Sequence, residues 1–350
     1  MTETKEISWD DSMLPFQLER SDMRGRIARL GPLLEHILSR HDYPVPVSAM
    51  VAELTTLTAL IGQTIKLRWK LSLQVRGNGA IRTIATDYYA PETEGGPARM
   101  RAWASFDADR LQDGLPGFDQ LGQGYFAVLI DQGEGTTPYQ GLTPLAGGSL
   151  ATCAQTYFEQ SEQLPTRFEL TVGRARLPGQ SQDHWRAGGI MLQTLPASSH
   201  AAAGTQTEGG EDERGMVSSA EILQGAQSED WNRSTMLMAT VEAMELVDPV
   251  LPLPNLLFRL FHEEEPTVFS PQRLVFGCSC NADRVRGTLS IYSAKDIAHM
   301  TNEDGIVTAD CQFCGAHYEF DPKSLGFEAT IDAEGNPLPK GEAGESRAAL

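Results

Sequence analysis

The 350-residue sequence has few cysteines and few basic residues. It contains five cysteines, and its 28 lysines and arginines are outnumbered by 47 aspartates and glutamates, which gives a formal net charge of −19. No run of Lys and Arg forms a local basic patch. A strongly acidic protein repels phosphate backbones, so we expect no nucleic-acid partner.

Long hydrophobic runs are also absent. Charges or prolines interrupt each apolar stretch before it reaches the ~20 residues that a transmembrane helix needs. The first residues, MTETKEISWDDSM, are acidic and contain no apolar stretch, so we expect neither a secretory signal nor a membrane partner. The sequence therefore predicts a cytoplasmic protein, in which clustered cysteines indicate metal or redox chemistry rather than structural disulfides.

Hydrophobic periodicity predicts an α+β fold, with an N-terminal core of helices packed on a largely antiparallel sheet. Residues 65–75 carry six apolar side chains two apart, which is typical of a half-buried strand, and residues 45–62 repeat apolar side chains at helical spacing. Strands and helices do not alternate regularly, which disfavours a parallel sheet. Further strands are predicted over 23–30, 80–88, 98–105, 125–131, 167–173 and 187–194, and further helices from Pro32 and over 149–165.

Composition divides the chain into six segments. Residues 197–215 have no large apolar side chain and carry four acids against one arginine, which indicates a disordered insertion. Helical patterns return after it, and the last twenty residues are rich in Gly, Pro and Glu. The predicted segments are an N-terminal arm (1–20), the α+β core domain (21–196), the disordered acidic insertion (197–215), a helical linker (216–266), a small C-terminal domain that contains four of the five cysteines (267–330) and a disordered tail (331–350).

Four cysteines form two close pairs near the C-terminus. Cys278 and Cys280 are one residue apart, Cys311 and Cys314 are two residues apart, and thirty residues separate the pairs. Four thiolates on two turns can close a tetrahedron around Zn²⁺. These cysteines are therefore the candidate metal ligands, and Zn²⁺ is the predicted cofactor.

The spacing leaves three interpretations open: structural zinc, a zinc-linked redox switch, or metal-free thiols. A disulfide between Cys278 and Cys280 would close a very small, strained ring, and strained disulfides are easily reduced again. A four-thiolate site is also rich in deprotonated sulfur, which is the form that oxidants attack. Glycines flank both pairs and allow the sharp turns that bring backbone N–H groups towards sulfur.

Other conspicuous residues have simpler explanations. Cys153 lies in a predicted helix with apolar neighbours and is expected to be a buried, inert thiol. His317 is a weaker ligand candidate, because four cysteines already fill a tetrahedral shell. The acidic run HEEE (262–265) is expected to be a solvated face or a helix cap rather than a catalytic cluster. Met236 and Met244 are expected to pack along one helix face, with client contact after unfolding as a second interpretation.

Several stretches together resemble the heat shock protein 33 family of redox-regulated bacterial chaperones. The resemblance covers most of residues 20–325, whereas the acidic stretch 204–215 and the tail after about 330 do not fit the family pattern. The stretches are HDYPVPV with AEL (41–54), YQGLTPL (139–145), YFEQSEQLPT (157–166), AGGIMLQTLP (187–196), RLFHEEEPTVF (259–269), CSC (278–280) and DCQFCGAHYEF (310–320).

The resemblance implies a holdase chaperone and not an enzyme. In that family the four cysteines bind Zn²⁺ when reduced, and the protein is idle. Peroxide with heat, or hypochlorous acid, oxidises each neighbouring pair, which here implies the redox disulfides Cys278–Cys280 and Cys311–Cys314. Zinc release and unfolding of the C-terminal domain and linker then permit ATP-independent binding of unfolding client proteins. A homodimer of the oxidised form is a further expected partner.

Two other functions are weaker alternatives. A zinc-ribbon nucleic-acid-binding protein is disfavoured because residues 270–330 hold five Lys and Arg against eight Asp and Glu. A thiol-disulfide oxidoreductase using Cys311 and Cys314 is disfavoured because its Cys-x-x-Cys lacks a βαβ setting.

Overall fold

The chain divides into two compact units, Met1–Phe276 and Gly277–Leu350. Each unit has its own hydrophobic core. The acidic insertion 197–215 and most of the tail 331–350, both predicted to be disordered, lie outside the described residues. The computed structural model describes residues 9–64, 66–177, 180–195, 219–332 and 335–336, without the side chains of 219–227.

One large sheet dominates the first unit. Its strands run in the order β7-β6-β3-β4-β5-β11-β1-β2-β9-β8, with β10 paired to β1 beside β11. The described pairings are antiparallel except for the parallel pair β11 and β5. The prediction of an α+β fold with a largely antiparallel sheet is therefore confirmed. The strands are β1 Ser12–Leu18, β2 Met23–Leu30, β3 Lys70–Gly77, β4 Ile81–Tyr89, β5 Ala98–Phe106, β6 Gly124–Asp131, β7 Tyr139–Pro144, β8 Thr166–Ala175, β9 His184–Thr194, β10 Pro266–Val268 and β11 Gln272–Phe276.

Eight α-helices lie in the described residues. The predicted helices from Pro32 and over 45–62 are present, while the one predicted over 149–165 ends at Tyr157. A π-helical turn follows it and closes at Gln163, whose φ of 55° is left-handed and stops the helix. The helices are α1 Pro32–Leu38, α2 Val45–Ile61, α3 Leu150–Tyr157, α4 Ser219–Met238, α5 Ala243–Val247, α6 Leu253–Phe261, α7 Ala282–Leu289 and α8 Ala294–Met300. None of these described helices has the length and apolar character needed to cross a membrane.

Helices cover both faces of the sheet, as the side chains of strand β2 illustrate. Successive side chains of a strand point to opposite faces, and accordingly Ala28 and Leu30 pack with α1, α2 and α3, whereas Met23 and Ile27 pack with α4 and α6. Helix α2 lies at the centre of the first layer and is buried along most of its length. We call the second layer, α4 to α6, the linker layer.

The linker layer packs through an amphipathic helix. Helix α6 places apolar side chains at positions i, i+3, i+4, i+7 and i+8, which form one buried stripe. This stripe meets the outer face of β1, β2 and β9, and Phe261 stacks on Phe16 with ring centroids 5.7 Å apart. The buried side chains of this interface are Leu14, Phe16, Leu18, Met23, Ile27, Ile190 and Leu192 from the sheet, and Met238, Leu246, Leu253, Leu256, Leu257, Leu260 and Phe261 from the linker layer.

Two parts of the sheet lie outside the segment predicted as its core. Strand β1 falls in the predicted arm 1–20, although its Leu14, Phe16 and Leu18 recur two apart on the face that packs against the linker layer. Strand β11, and β10 after its first residue, fall in the segment 267–330 predicted as the C-terminal domain. They pair with β1 and β5, so the first unit extends to Phe276. Such pairing depends on partners more than 170 residues away, which local patterns do not reveal.

The second unit is small. It contains α7, α8 and a hairpin of β12 (Val307–Asp310) and β13 (His317–Phe320). Ser293 and Asp296 form a capping box that starts α8. Its fully buried core consists of four side chains, Ile297, Val307, Phe320 and Leu325.

Candidate metal centre

The two cysteine pairs lie on two turns of the second unit. Cys278 and Cys280 precede α7, whose N-cap Asn281 accepts a hydrogen bond from the Arg284 backbone N–H at 2.8 Å. Arg284 also donates from Nη1 to the carbonyl oxygen of Ser279, between the two cysteines, at 2.9 Å. The Cys-x-Cys turn is thus fixed by the first turn of α7, whose N-terminal dipole favours negative charge on the adjacent sulfur.

The second pair occupies the turn of the β12–β13 hairpin. The Cys311 N–H donates to the Ala316 carbonyl at 2.8 Å, and the Gly315 N–H donates to the Cys311 carbonyl at 2.7 Å. Gly315 has a φ of 69°, a left-handed conformation that glycine adopts without strain. The predicted sharp turn at this glycine is present.

The four thiols converge on one point. Their Sγ atoms all lie within 4.8 Å of one another, with Cys278 and Cys311 at 3.7 Å and Cys280 and Cys314 at 3.3 Å. A tetrahedral Zn²⁺ with Zn–S bonds of about 2.3 Å requires sulfurs about 3.8 Å apart. The cluster therefore has the ligand number, ligand type and spacing for a metal ion.

The electrostatics of the cluster favour a cation. Burial raises the pKa of Cys311 and raises that of Cys314 to about 12, where neighbouring thiols add to the shift. When thiols lie this close together, deprotonation of one disfavours deprotonation of its neighbours, because adjacent thiolates repel one another. A divalent ion supplies the compensating charge and deprotonates coordinated thiols.

The remaining candidate side chains lie apart from this cluster. Cys153 is in α3 of the first unit, 1% exposed, and its Sγ donates to the Ala146 carbonyl at 3.4 Å. Burial raises its pKa, which makes it less reactive. His317 lies on the exposed face of β13, where its Nδ1 is 2.6 Å from the Asp310 carboxylate. The metal cluster of the described residues comprises the four cysteines without His317.

Comparison with known proteins assigns the chain to a family. The family model described as Hsp33 protein matches residues 11–321. The chain belongs to the Hsp33 family. A 33 kDa chaperonin of Caulobacter vibrioides is 35% identical over 319 residues, which cover 89% of this chain and 95% of the relative. A 33 kDa chaperonin of Cronobacter sakazakii is 33% identical over 315 residues, covering 90% and 94% of the two chains.

A solved structure supports the fold. The crystal structure of a 33 kDa chaperonin, heat shock protein 33 homolog, from Thermotoga maritima matches with a TM-score of 0.68 over 89% of this chain and 96% of that one. At 18% identity this match supports the α+β architecture alone. The family assignment rests on the family model and the sequence relatives. These relatives are named 33 kDa chaperonin, so the Hsp33 family is a family of chaperones.

In this Hsp33-family chain, a buried arginine of the sheet binds the backbone of the linker layer. Arg29 is fully buried and donates to three backbone carbonyls of the linker layer, those of Glu245, Leu246 and Leu251, at 3.0, 2.9 and 2.7 Å. Gly188 on β9 allows this approach, since a Cβ there would lie 2.3 Å from the Leu246 carbonyl oxygen. Local sequence patterns gave no signal for these contacts.

A buried ion pair corrects the expectation for the HEEE run. Glu264 is fully buried, and its carboxylate accepts hydrogen bonds from Arg233 at 2.6 and 3.1 Å. The Glu264 side chain is therefore not part of a solvated face. The turn places it inward because the next residue, Glu265, adopts a left-handed φ of 54°.

The expected methionine stripe is wrong. Helix α4 ends at Met238, so Met236 and Met244 are not on one continuous helix, and they are 71% and 68% exposed. The buried methionine of α4 is Met238. The periodicity missed the end of α4, because residues 239–242 contain no Gly or Pro to mark it.

Proposed function

We propose that this chain is a redox-regulated, ATP-independent holdase. Its reduced form would hold Zn²⁺ through Cys278, Cys280, Cys311 and Cys314 and be idle. The observation that carries the proposal is the convergence of four thiols in a unit with a very small core. Membership of a chaperone family supports the same function.

The size of the second unit's core indicates why its fold depends on the metal. Four buried side chains contribute roughly 1.5–3 kcal/mol each, and ordering the rest of the unit opposes folding. A structural Zn²⁺ site contributes about 10–16 kcal/mol in small modules. Loss of the metal would therefore remove a stabilising contribution comparable in size to that of these four side chains.

Oxidation would remove those ligands. In the proposed reaction each neighbouring pair, Cys278 with Cys280 and Cys311 with Cys314, forms a disulfide. Forming each disulfide from two thiolates releases two electrons, which together with two protons from solvent reduce one hydrogen peroxide to two waters. The sulfurs of a disulfide are no longer thiolate ligands, so the second unit loses its support.

The linker layer gives the activated form its binding surface. It covers seven buried apolar side chains on β1, β2 and β9, and undocking would expose them together with its own apolar stripe. Large exposed apolar surfaces bind other apolar surfaces. We infer that unfolding of the second unit loosens the linker layer, which precedes it in the chain, and that unfolding client proteins bind there. A homodimer of the oxidised form and a cytoplasmic location, where thiols stay reduced, belong to the same proposal.

Hydrogen exchange measured by mass spectrometry tests the proposal. Reduced, oxidised and re-reduced protein would be compared, with zinc release and suppression of client aggregation followed in parallel. We expect residues 219–261 and 277–332 to lose protection on oxidation and to recover together with reductant and zinc, while α2 stays protected.

Three outcomes would contradict parts of this scheme. Exposure confined to 277–332 would exclude the linker layer from the mechanism. An unchanged exchange pattern together with no aggregation suppression would refute the holdase switch. Catalytic reduction of insulin disulfides by the protein would instead favour a thiol-disulfide oxidoreductase.

A further inference from the structure

A tyrosine outside the cysteine set contacts one of the four sulfurs. The Tyr318 hydroxyl donates a hydrogen bond to Cys280 Sγ at 3.2 Å, a normal length for a bond to sulfur. The two residues are 38 positions apart, so this bond joins the Cys-x-Cys turn to the hairpin that carries the other pair. Tyr318 is not among the residues predicted from the sequence to act at the metal site.

The fold fixes the position of this hydroxyl. Tyr318 pairs with Ala309 across the hairpin, and alternation along β13 places it on the same face as Phe320, away from exposed His317. The Tyr318 and Phe320 rings lie 6.4 Å apart and nearly parallel at 21°. Phe320 is 4% exposed in the core of the unit, so the Tyr318 ring packs against a buried neighbour.

A hydrogen bond to a sulfur affects its chemistry. A cysteine sulfur attacks peroxide with one of its electron pairs. An S–O bond forms, the O–O bond breaks and hydroxide departs, which converts the cysteine to a sulfenic acid. A neighbouring thiolate then displaces the sulfenic oxygen, which takes up a proton and leaves as water, and the disulfide forms. A donor that already engages an electron pair of Cys280 makes that pair less available for the first step.

We propose that Tyr318 is a positioning residue that holds Cys280 in the ligand geometry and slows its reaction with electrophiles. The proposal rests on the proposed redox function, because it concerns the rate at which that switch is triggered. Tyr318 would thus set the oxidant exposure that the reduced protein withstands. Its hydroxyl, and not its ring, would carry this effect.

The test compares two single-hydroxyl deletions in reduced, zinc-loaded, full-length protein. Tyr318→Phe keeps the ring and removes the donor. Tyr292→Phe is the matched control, because Tyr292 packs against the same core. Labelling of each cysteine by iodoacetamide would be followed by mass spectrometry, and zinc release under hydrogen peroxide would be followed with a chromogenic chelator.

We expect Cys280 in Tyr318→Phe to be labelled about 3- to 10-fold faster than in the unchanged protein, the size that the loss of one hydrogen bond to sulfur predicts. Zinc release from Tyr318→Phe under peroxide should accelerate similarly. The rates of labelling and zinc release in Tyr292→Phe, and the labelling of Cys153 in both variants, should match those of the unchanged protein. Hydrogen exchange of 305–320 in the reduced variants distinguishes this from a loosened fold. Equal acceleration at all four cysteines together with faster exchange would show a merely structural role and overturn the inference.

The proposal and the function on which it rests fail differently. Unchanged Cys280 labelling in Tyr318→Phe would refute the role of the tyrosine while leaving a zinc-loaded, oxidation-sensitive protein. Absence of zinc from the unchanged protein would instead refute the proposed function.

Discussion

Replacing Phe261 should undock the linker layer without unfolding the core. The side chain is fully buried on the outer face of the sheet and stacks on Phe16. Truncating a buried phenylalanine costs about 3–5 kcal/mol, from lost transfer free energy and the cavity left behind. Phe258 in the same helix is 65% exposed, and its truncation should cost within about 0.5 kcal/mol.

The assay is native-state hydrogen exchange on the reduced, zinc-loaded protein. Each 1.4 kcal/mol changes an opening equilibrium about tenfold, so amides of α4 to α6 in Phe261→Ala should exchange about 10²–10³-fold faster if the layer opens locally. Amides of α2 should be unaffected, because that helix belongs to the other face of the sheet. Phe258→Ala should exchange like the unchanged protein.

The same variants link docking to function. Phe261→Ala should suppress client aggregation to some extent without oxidant, since its binding surface is already open part of the time. Linker exchange within twofold of the unchanged protein would refute the assigned packing. Equal effects of Phe258→Ala and Phe261→Ala would refute the argument from burial.

Two further predictions concern the metal and the buried ion pair. Metal analysis of purified, reduced protein should give one zinc per chain, also in Cys153→Ser, and well under one equivalent in Cys278→Ser; loss of zinc in Cys153→Ser would overturn the site. Arg233→Ala should destabilise the linker layer by about 2–3 kcal/mol in thermal unfolding, because it leaves the Glu264 carboxylate buried without its main donor. Glu264→Gln should cost less, because the 39% exposed Arg233 keeps Asp230 as a partner. Since Arg233 holds the pKa of Glu264 below its ordinary 4.5, the pair should stabilise fully above that pH and lose its effect as pH falls further; a Glu264→Gln variant with the same acid sensitivity would contradict this.

Local patterns predicted the elements with regular apolar spacing or with marked ends. Strand 23–30 and helix 45–62 match β2 and α2, because apolar spacing and a proline near the helix start identify them. Strand β7 was missed because it is a six-residue edge strand with exposed side chains at most positions. The end of α4 was missed because no Gly or Pro marks it.

The candidate site was predictable in part, for a physical reason. Thiolate spacing is a local property, so the four cysteines could be chosen before any fold was known. The contacts of Tyr318 with Cys280 and of Glu264 with Arg233 join residues 38 and 31 positions apart in the chain. Neither contact has a signature within a short window of sequence.

The three carbonyls bound by Arg29 have a consequence for how the linker layer docks on the sheet. Because the Arg29 guanidinium binds main-chain oxygens, these hydrogen bonds depend on the path of the backbone and not on the identity of the side chains. Exchanging the side chains at 245, 246 or 251 therefore leaves this clamp intact, whereas inserting or deleting one residue between 246 and 251 removes a carbonyl from its reach. Arg29 keeps its charge at neutral pH, because burial lowers its pKa only to about 10. The clamp thus accepts one alignment of the segment 245–251, and length, more than composition, is what that part of the chain must preserve.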